Sequence, residues 1–207
     1  MTNQAEQDQT GLDQTLFERA EKKRARVRSG AAASDTRPVA VITGASRGLG
    51  LELARALALD GWNLVITARG AADLDRAAAE LGRITAVAAL AGSVVDDDHR
   101  AELAHAASEL GGADLLVNNA STLAGFELDG AATPALEEPD VRVWAVDPGD
   151  MRTRMHEEAA PGEDISDLPL PGAVVPAFRA LLRDWPQSGR YVASQLLEAS
   201  ARTVGAR

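Results

Sequence analysis

Three glycines, Gly44, Gly48 and Gly50, stand in the run TGASRGLG, directly after the β-branched stretch Val39 to Thr43 and before an Ala/Leu-rich stretch. Glycine lacks the Cβ that blocks close approach, so a strand, a Gly-rich turn and a helix in this order let backbone amides meet an anion. The anion such a turn suits is a pyrophosphate, cradled by Gly44, Ser46, Arg47, Gly48, Leu49 and Gly50. The glycine spacing alone also describes an ordinary βα turn, so its surroundings decide. A second β-branched run ends at Thr67-Ala68-Arg69, where a dinucleotide fold meets the adenosine ribose. An acidic residue there would accept the 2′-hydroxyl of NAD(H). Arg69 and Arg47 instead offer donors to a 2′-phosphate, so NADP(H) is expected over NAD(H).

The elements that must position this loop begin at Pro38. Short β-branched runs alternate with Ala/Leu-rich stretches, the signature of βαβ units on a parallel sheet. Predicted strands cover Val39 to Thr43, Leu64 to Ala68, Ile84 to Leu90 and Asp114 to Val117, with helices over Gly48 to Asp60, Ala72 to Leu81 and Asp96 to Leu110. Past Asn119 the rhythm fails. Ser121 to Pro139 allows one helical turn near Pro134 to Glu138, and a strand resumes at Val141 to Val146. Pro148 to Pro171 reads as irregular. Ala173 to Asp184 reads as a helix whose start Pro176 delays, and Arg190 to Ala193 as a last short strand.

The resulting division is a disordered or frayed-helical tail over 1–37, a Rossmann-like dinucleotide-binding domain over 38–195 and a C-terminal tail over 196–207. The first tail carries a basic run (Arg19, Lys22, Lys23, Arg24, Arg26, Arg28), read as a solvated helix face. It holds seven basic and six acidic side chains, so of the chain's net charge of −10 the remainder carries −11. Such a body repels nucleic acid and anionic membrane, and neither is expected as a partner. With 207 residues and 45% hydrophobic content, one domain with a sizeable core is expected. The sequence has no Cys, which removes disulfides and thiolate chemistry, and its three His lack ligand spacing, so no metal site is expected. No apolar run reaches the roughly 18 residues of a membrane span, and a cytoplasmic protein is expected.

With these residues in place, the chain resembles the short-chain dehydrogenase/reductase family over roughly residues 38 to 195. The likeness rests on TGASRGLG at 43–50, Arg69, NNAS at 118–121 and DPGDMRT at 147–153. It implies a three-layer, doubly wound parallel sheet and hydride transfer between a nicotinamide and a carbonyl or alcohol. It also implies that Asn119 and Ala120, with Asn118, steady the central sheet beside the adenine ribose. Pro148, Gly149 and Thr153 would cradle the nicotinamide carboxamide, and Ser93 stands where the family usually has an adenine-binding Asp.

The family's catalytic Ser, and its Tyr followed four residues later by Lys, have no counterpart. Lys occurs only at Lys22 and Lys23, and the sole Tyr, Tyr191, precedes Gln195 by four. The missing Lys matters because its cation lowers the Tyr pKa and makes the phenol a usable acid or base. No catalytic residue is therefore assigned, and turnover is not expected. The interval from Ala120 to Asp147 is shorter than in the family by roughly 60 residues, against about 30 for a βα unit. One strand and two helices are expected to be missing, with the fourth strand and the Val141 strand meeting across the vacancy. Part of one sheet face would then be bare, open to a protein partner or to self-association. Three functions stay open: a reductase, a non-catalytic dinucleotide-binding or interaction protein, and an inactive shortened form of a reductase.

Overall fold

The computed structural model describes residues 37–121 and 141–205. Its first part is an alternating α/β unit: β1 (Val39–Thr43), α1 (Gly48–Leu59), β2 (Asn63–Ala68), α2 (Ala71–Leu81), β3 (Val87–Ala91), α3 (Asp97–Glu109) and β4 (Leu115–Val117). The strands form one sheet in the order β3-β2-β1-β4, parallel throughout. All five residues of β1 are buried, as expected for a strand covered on both faces. Successive side chains alternate between those faces. Ala40 and Ile42 join Leu64 and Ile66 against Leu57 of α1 and Leu74 and Leu81 of α2, whereas Val39, Val41 and Val65 pack on Leu103, Ala106 and Ala107 of α3. This is the three-layer, doubly wound arrangement read from the sequence. Trp62, 2% exposed, seals the first of these cores between α1 and β2.

The helices lock together at the surface as well. Arg55 of α1 donates from Nε and Nη2 to both carboxylate oxygens of Glu80 on α2 at 2.5 and 2.9 Å, and also pairs with Glu52. This fork holds the Glu80 carboxyl below its usual value and raises the Arg55 guanidinium. A depressed carboxylate stabilises the fold above its unfolded pKa, and that contribution disappears as pH falls through the folded pKa. Both side chains are over a third exposed, so Arg55→Met should cost only about 0.2–1 kcal/mol at pH 7. Denaturant melts over a series of pH values from 7 downward check this: the difference from the parent should shrink as the Glu80 carboxyl protonates.

The second part holds β5 (Trp144–Asp147), α4 (Arg154–Ala159), a 3-10 turn (Pro171–Val174), α5 (Val175–Asp184), β6 (Gly189–Val192) and α6 (Ala193–Gly205). β5 and β6 make a separate parallel pair. Val175 and Phe178 seat this unit on Leu53 and Ala56 of α1.

Three expectations are corrected here. The strand after the irregular region does not meet β4. It starts at Trp144 and pairs with β6, because α5 and α6 pack together through Val174, Ala177 and Ala193 and carry β6 to it. Residues 196–205 are not a tail but continue α6, since Leu196 and Leu197 reach that same apolar cluster. As expected, α5 starts later than Ala173, at Val175, with Pro176 in its first turn, where its missing N–H has no intrahelical partner to lose. The segment 148–171 contains a helix, α4, where none was expected. The helical turn expected at Pro134 to Glu138 and the tail over 1–36 lie outside the described residues.

Between the two sheets lies a cleft of about 700 Å³, lined by β4, by residues 141–146 and by the apolar sides of α1 and α5. On the α3 side of β4, Leu116 is 58% exposed, so one sheet face is partly bare there. Among the described residues no helix is long and apolar enough to cross a membrane, and no cluster of metal-ligating side chains occurs.

Candidate functional site

The C-terminal end of β1 turns into α1 through Gly44-Ala45-Ser46-Arg47. Gly44 and Gly48 hold φ of 66° and 59°, a left-handed conformation that a Cβ disfavours. The turn is pinned to the neighbouring strand by the Ala45 amide, which donates to the Thr67 carbonyl at 3.1 Å. The residue before α1, Arg47, is extended, and no side chain caps the helix. The first amides of α1 therefore keep their donors for an incoming acceptor, at the positive end of the helix dipole.

Behind this loop Asn119 acts as a brace. Its Nδ2 donates to the carbonyls of Thr43 and Gly44 at 3.0 and 3.2 Å. Its own amide and that of Ala120 both donate to Thr43 Oγ1 at 2.9 Å. The glycines fit this brace sterically. A Cβ on Gly50 would stand 2.5 Å from Asn119 Nδ2 and 2.5 Å from the Gly44 carbonyl oxygen, and one on Gly44 would stand 2.9 Å from the same Nδ2. Such distances lie far inside van der Waals contact. Only glycine allows the strand end, the helix start and the Asn118-Asn119 turn to come this close.

The predicted ribose and adenine positions lie along the same sheet edge. Arg69 follows β2 and is exposed, as is Arg47, and neither makes an ion pair among the described residues. The Gly92 amide donates to the Ala68 carbonyl at 3.0 Å, which brings the stretch holding Ser93 beside Arg69. Ser93 is half-buried, and its carbonyl accepts from the Asp96 amide in the turn into α3.

The DPGDMRT segment sits on the other flank. Gly149 has φ of 73°, and its amide donates to Asp147 Oδ1 at 2.9 Å. Pro148 lines the cleft together with Leu49. Thr153 Cγ2 stands 4.0 Å from where a Gly48 Cβ would be, so this segment reaches the glycine loop. Thr153 Oγ1 accepts from the His156 amide at 3.2 Å and caps α4. A hydroxyl that accepts in this way still has a proton to donate.

Sequence reasoning missed two members of the site. Thr43 reads as one more β-branched strand residue, yet its hydroxyl accepts two amides. His99 lies in the first turn of α3 and is buried. One of its ring nitrogens, Nε2, is 2.8 Å from Thr67 Oγ1, and the ring fills the space where a Gly92 Cβ would be, at 2.4 Å. A lone His within the acidic start of α3 was its only signal.

Tyr191 lies on β6, and its hydroxyl donates to the Gln187 carbonyl at 2.7 Å. This contact ties the end of the ring to the turn before β6.

Comparison with known proteins agrees with this geometry. Residues 38–137 match the family described as short chain dehydrogenase. Galactitol 2-dehydrogenase (L-tagatose-forming) from Cereibacter sphaeroides is 42% identical over 81 residues, a match that covers 39% of this chain and 32% of that enzyme. The chain thus spans about a third of this curated relative. Among solved structures, a short-chain type dehydrogenase/reductase from Mycobacterium marinum superposes with a TM-score of 0.65 at 18% identity, covering 82% of this chain and 96% of that one. L-sorbose reductase from Gluconobacter frateurii, solved with NADPH and L-sorbose, gives 0.62 at 19% identity, covering 80% and 96%. At these identities the superpositions speak for the fold. The matched segment contains the braced glycine loop, and over that segment the chain is similar to the short-chain dehydrogenase/reductase family.

Proposed function

We propose that this chain binds NADP(H) across the C-terminal edge of its four-stranded sheet and holds it without transferring hydride. The observation that carries the reading is the cradle at Gly44 and Gly50, where the brace from Asn119 leaves no room for a Cβ beneath an uncapped helix start. A pyrophosphate there would meet the amides of Gly48, Leu49 and Gly50, with Ser46 beside them. Arg47 and Arg69, exposed and without ion pairs among the described residues, are the groups for a 2′-phosphate. Ser93, Asn119 and Ala120 would face the adenosine, and Pro148, Gly149 and Thr153 the nicotinamide amide. When bound, the cofactor supplies a hydride donor or acceptor. The L-sorbose reductase of similar fold was solved with NADPH, which supports this choice of nucleotide.

The lack of turnover follows from proton chemistry. The family's route needs a phenol made acidic by a neighbouring Lys. Here the only Tyr has its hydroxyl engaged by a main-chain carbonyl, and both Lys lie at 22 and 23, far from the loop in sequence.

Titration with NADPH and NADH, followed by nicotinamide fluorescence, tests binding. A carbonyl panel followed by NADPH absorbance tests turnover. Saturable NADPH binding with no substrate-dependent absorbance loss is expected. Failure to bind either nucleotide would sink the site, and turnover would sink the claim of lost chemistry. Arg69→Glu should weaken NADPH by about tenfold or more, through loss of charge-assisted bonds to the 2′-phosphate, while NADH changes little.

A further inference from the structure

The cleft between the two sheets has a strand edge on each side. β4 pairs only with β1, and β5 only with β6, among the described residues. Each therefore presents a row of main-chain donors and acceptors toward the cleft, and such rows template the addition of another strand.

The two edges run the same way. The C-terminal end of β4 lies at Asn119, against Gly50 at the start of α1. The C-terminal end of β5 lies there too, since Val146 and Leu49 pack on the same cluster of Val174, Ala177 and Ala193 and Thr153 approaches Gly48. At the opposite end, Trp144 of β5 stacks edge-on against Trp185, with ring centroids 5.2 Å apart. Trp185 in turn packs against the cluster of Leu57 and Ala58 at the end of α1. The floor between the edges is aliphatic and aromatic: Leu49, Leu53 and Leu57 from α1, Phe178 and Leu182 from α5. Trp185 Nε1 is buried beside this floor with no hydrogen-bond partner among the described residues, a donor that requires an acceptor such as a peptide carbonyl.

We propose that this cleft is an acceptor site for an extended segment of a partner polypeptide, one with aliphatic side chains at every second position. The backbone of that segment would bond to β4 on one side and β5 on the other, joining the two sheets into one. The alternate aliphatic side chains would enter the floor, and the others would turn toward the side where Leu116 is exposed. A globular apolar ligand would fill the floor and leave both main-chain rows to water. A strand satisfies rows and floor together, which is the recognition mode of strand addition.

The probe is an acetylated and amidated hexapeptide of alternating threonine and valine, with a twin whose valine amides are N-methylated. Hydrogen exchange is followed in the full chain over residues 113–118 and 143–147, with 39–43 as an internal reference. The unmodified peptide should slow exchange at both edges by about tenfold, leave the reference unchanged, and lose its effect in the twin. Absence of protection, or equal protection by both peptides, overturns the proposal. So does slow exchange at both edges without peptide. If that slowing is independent of protein concentration, the chain fills its own cleft; if it grows with concentration, a second copy does.

Discussion

Gly50→Ala should abolish measurable NADPH binding and lower the unfolding free energy by about 1–3 kcal/mol, the range for overpacking a site that must shift to accept a methyl group. The added carbon would stand 2.5 Å from two atoms at once, the Gly44 carbonyl oxygen and Asn119 Nδ2. Neither is the free end of a flexible side chain. One belongs to the phosphate loop itself, and the other is held by two carbonyl acceptors. Relief requires α1 to move away from β1, which drags the helix N-terminus off the pyrophosphate position. Gly50 has an ordinary helical backbone, without the positive φ of Gly44 and Gly48, so the effect is purely one of space. Chemical melts with and without NADPH measure both parts. A variant with parental affinity would show that the loop does not meet the nucleotide.

Thr43→Val should destabilise by about 1–3 kcal/mol, since it leaves two amides, one of them half-buried, without their acceptor. The substitution keeps shape and β-propensity and removes only the hydroxyl. The amides of Asn119 and Ala120 both end on that oxygen, and Thr43 is 6% exposed. Thr43→Ser keeps the acceptor and should recover most of the loss. The comparison separates hydrogen bonding from packing. If Val and Ser variants melt alike, the hydroxyl is not what ties the Asn118-Asn119 turn to β1. Nucleotide affinity should fall with stability in the Val variant, because Asn119 braces Gly44 only while its backbone is anchored.

How far the sequence could be read follows from what each element depends on. β1, α1, β2 and α2 lie within one residue of their predicted bounds, because β-branched runs, glycine turns and apolar periodicity act locally and agree with one another. β3 starts later than expected. Ile84 and Thr85 instead donate their amides to the Leu81 carbonyl as α2 unwinds, a tertiary choice that β-propensity does not encode. The phosphate loop was legible as glycine spacing. Its brace was legible only through the family resemblance, since nothing in Asn-Asn-Ala-Ser alone says which carbonyls its amide will find. The position of β5 was not legible. It depends on α5 and α6 closing over Ala193, a contact between residues far apart along the chain.

The indoles give this fold a built-in optical division. Of three tryptophans, Trp62 reports from the Rossmann core, whereas Trp144 and Trp185 sit edge to face at 89° in the smaller unit. Replacing the coupled pair by phenylalanine leaves an emission that follows the four-stranded sheet alone; replacing Trp62 leaves one that follows the strand pair. Two denaturation curves recorded this way would coincide for a single cooperative molecule and separate for two. The separation, in molar denaturant, would then measure how strongly α5 seated on α1 couples the unit that carries the glycine loop to the unit that frames the cleft.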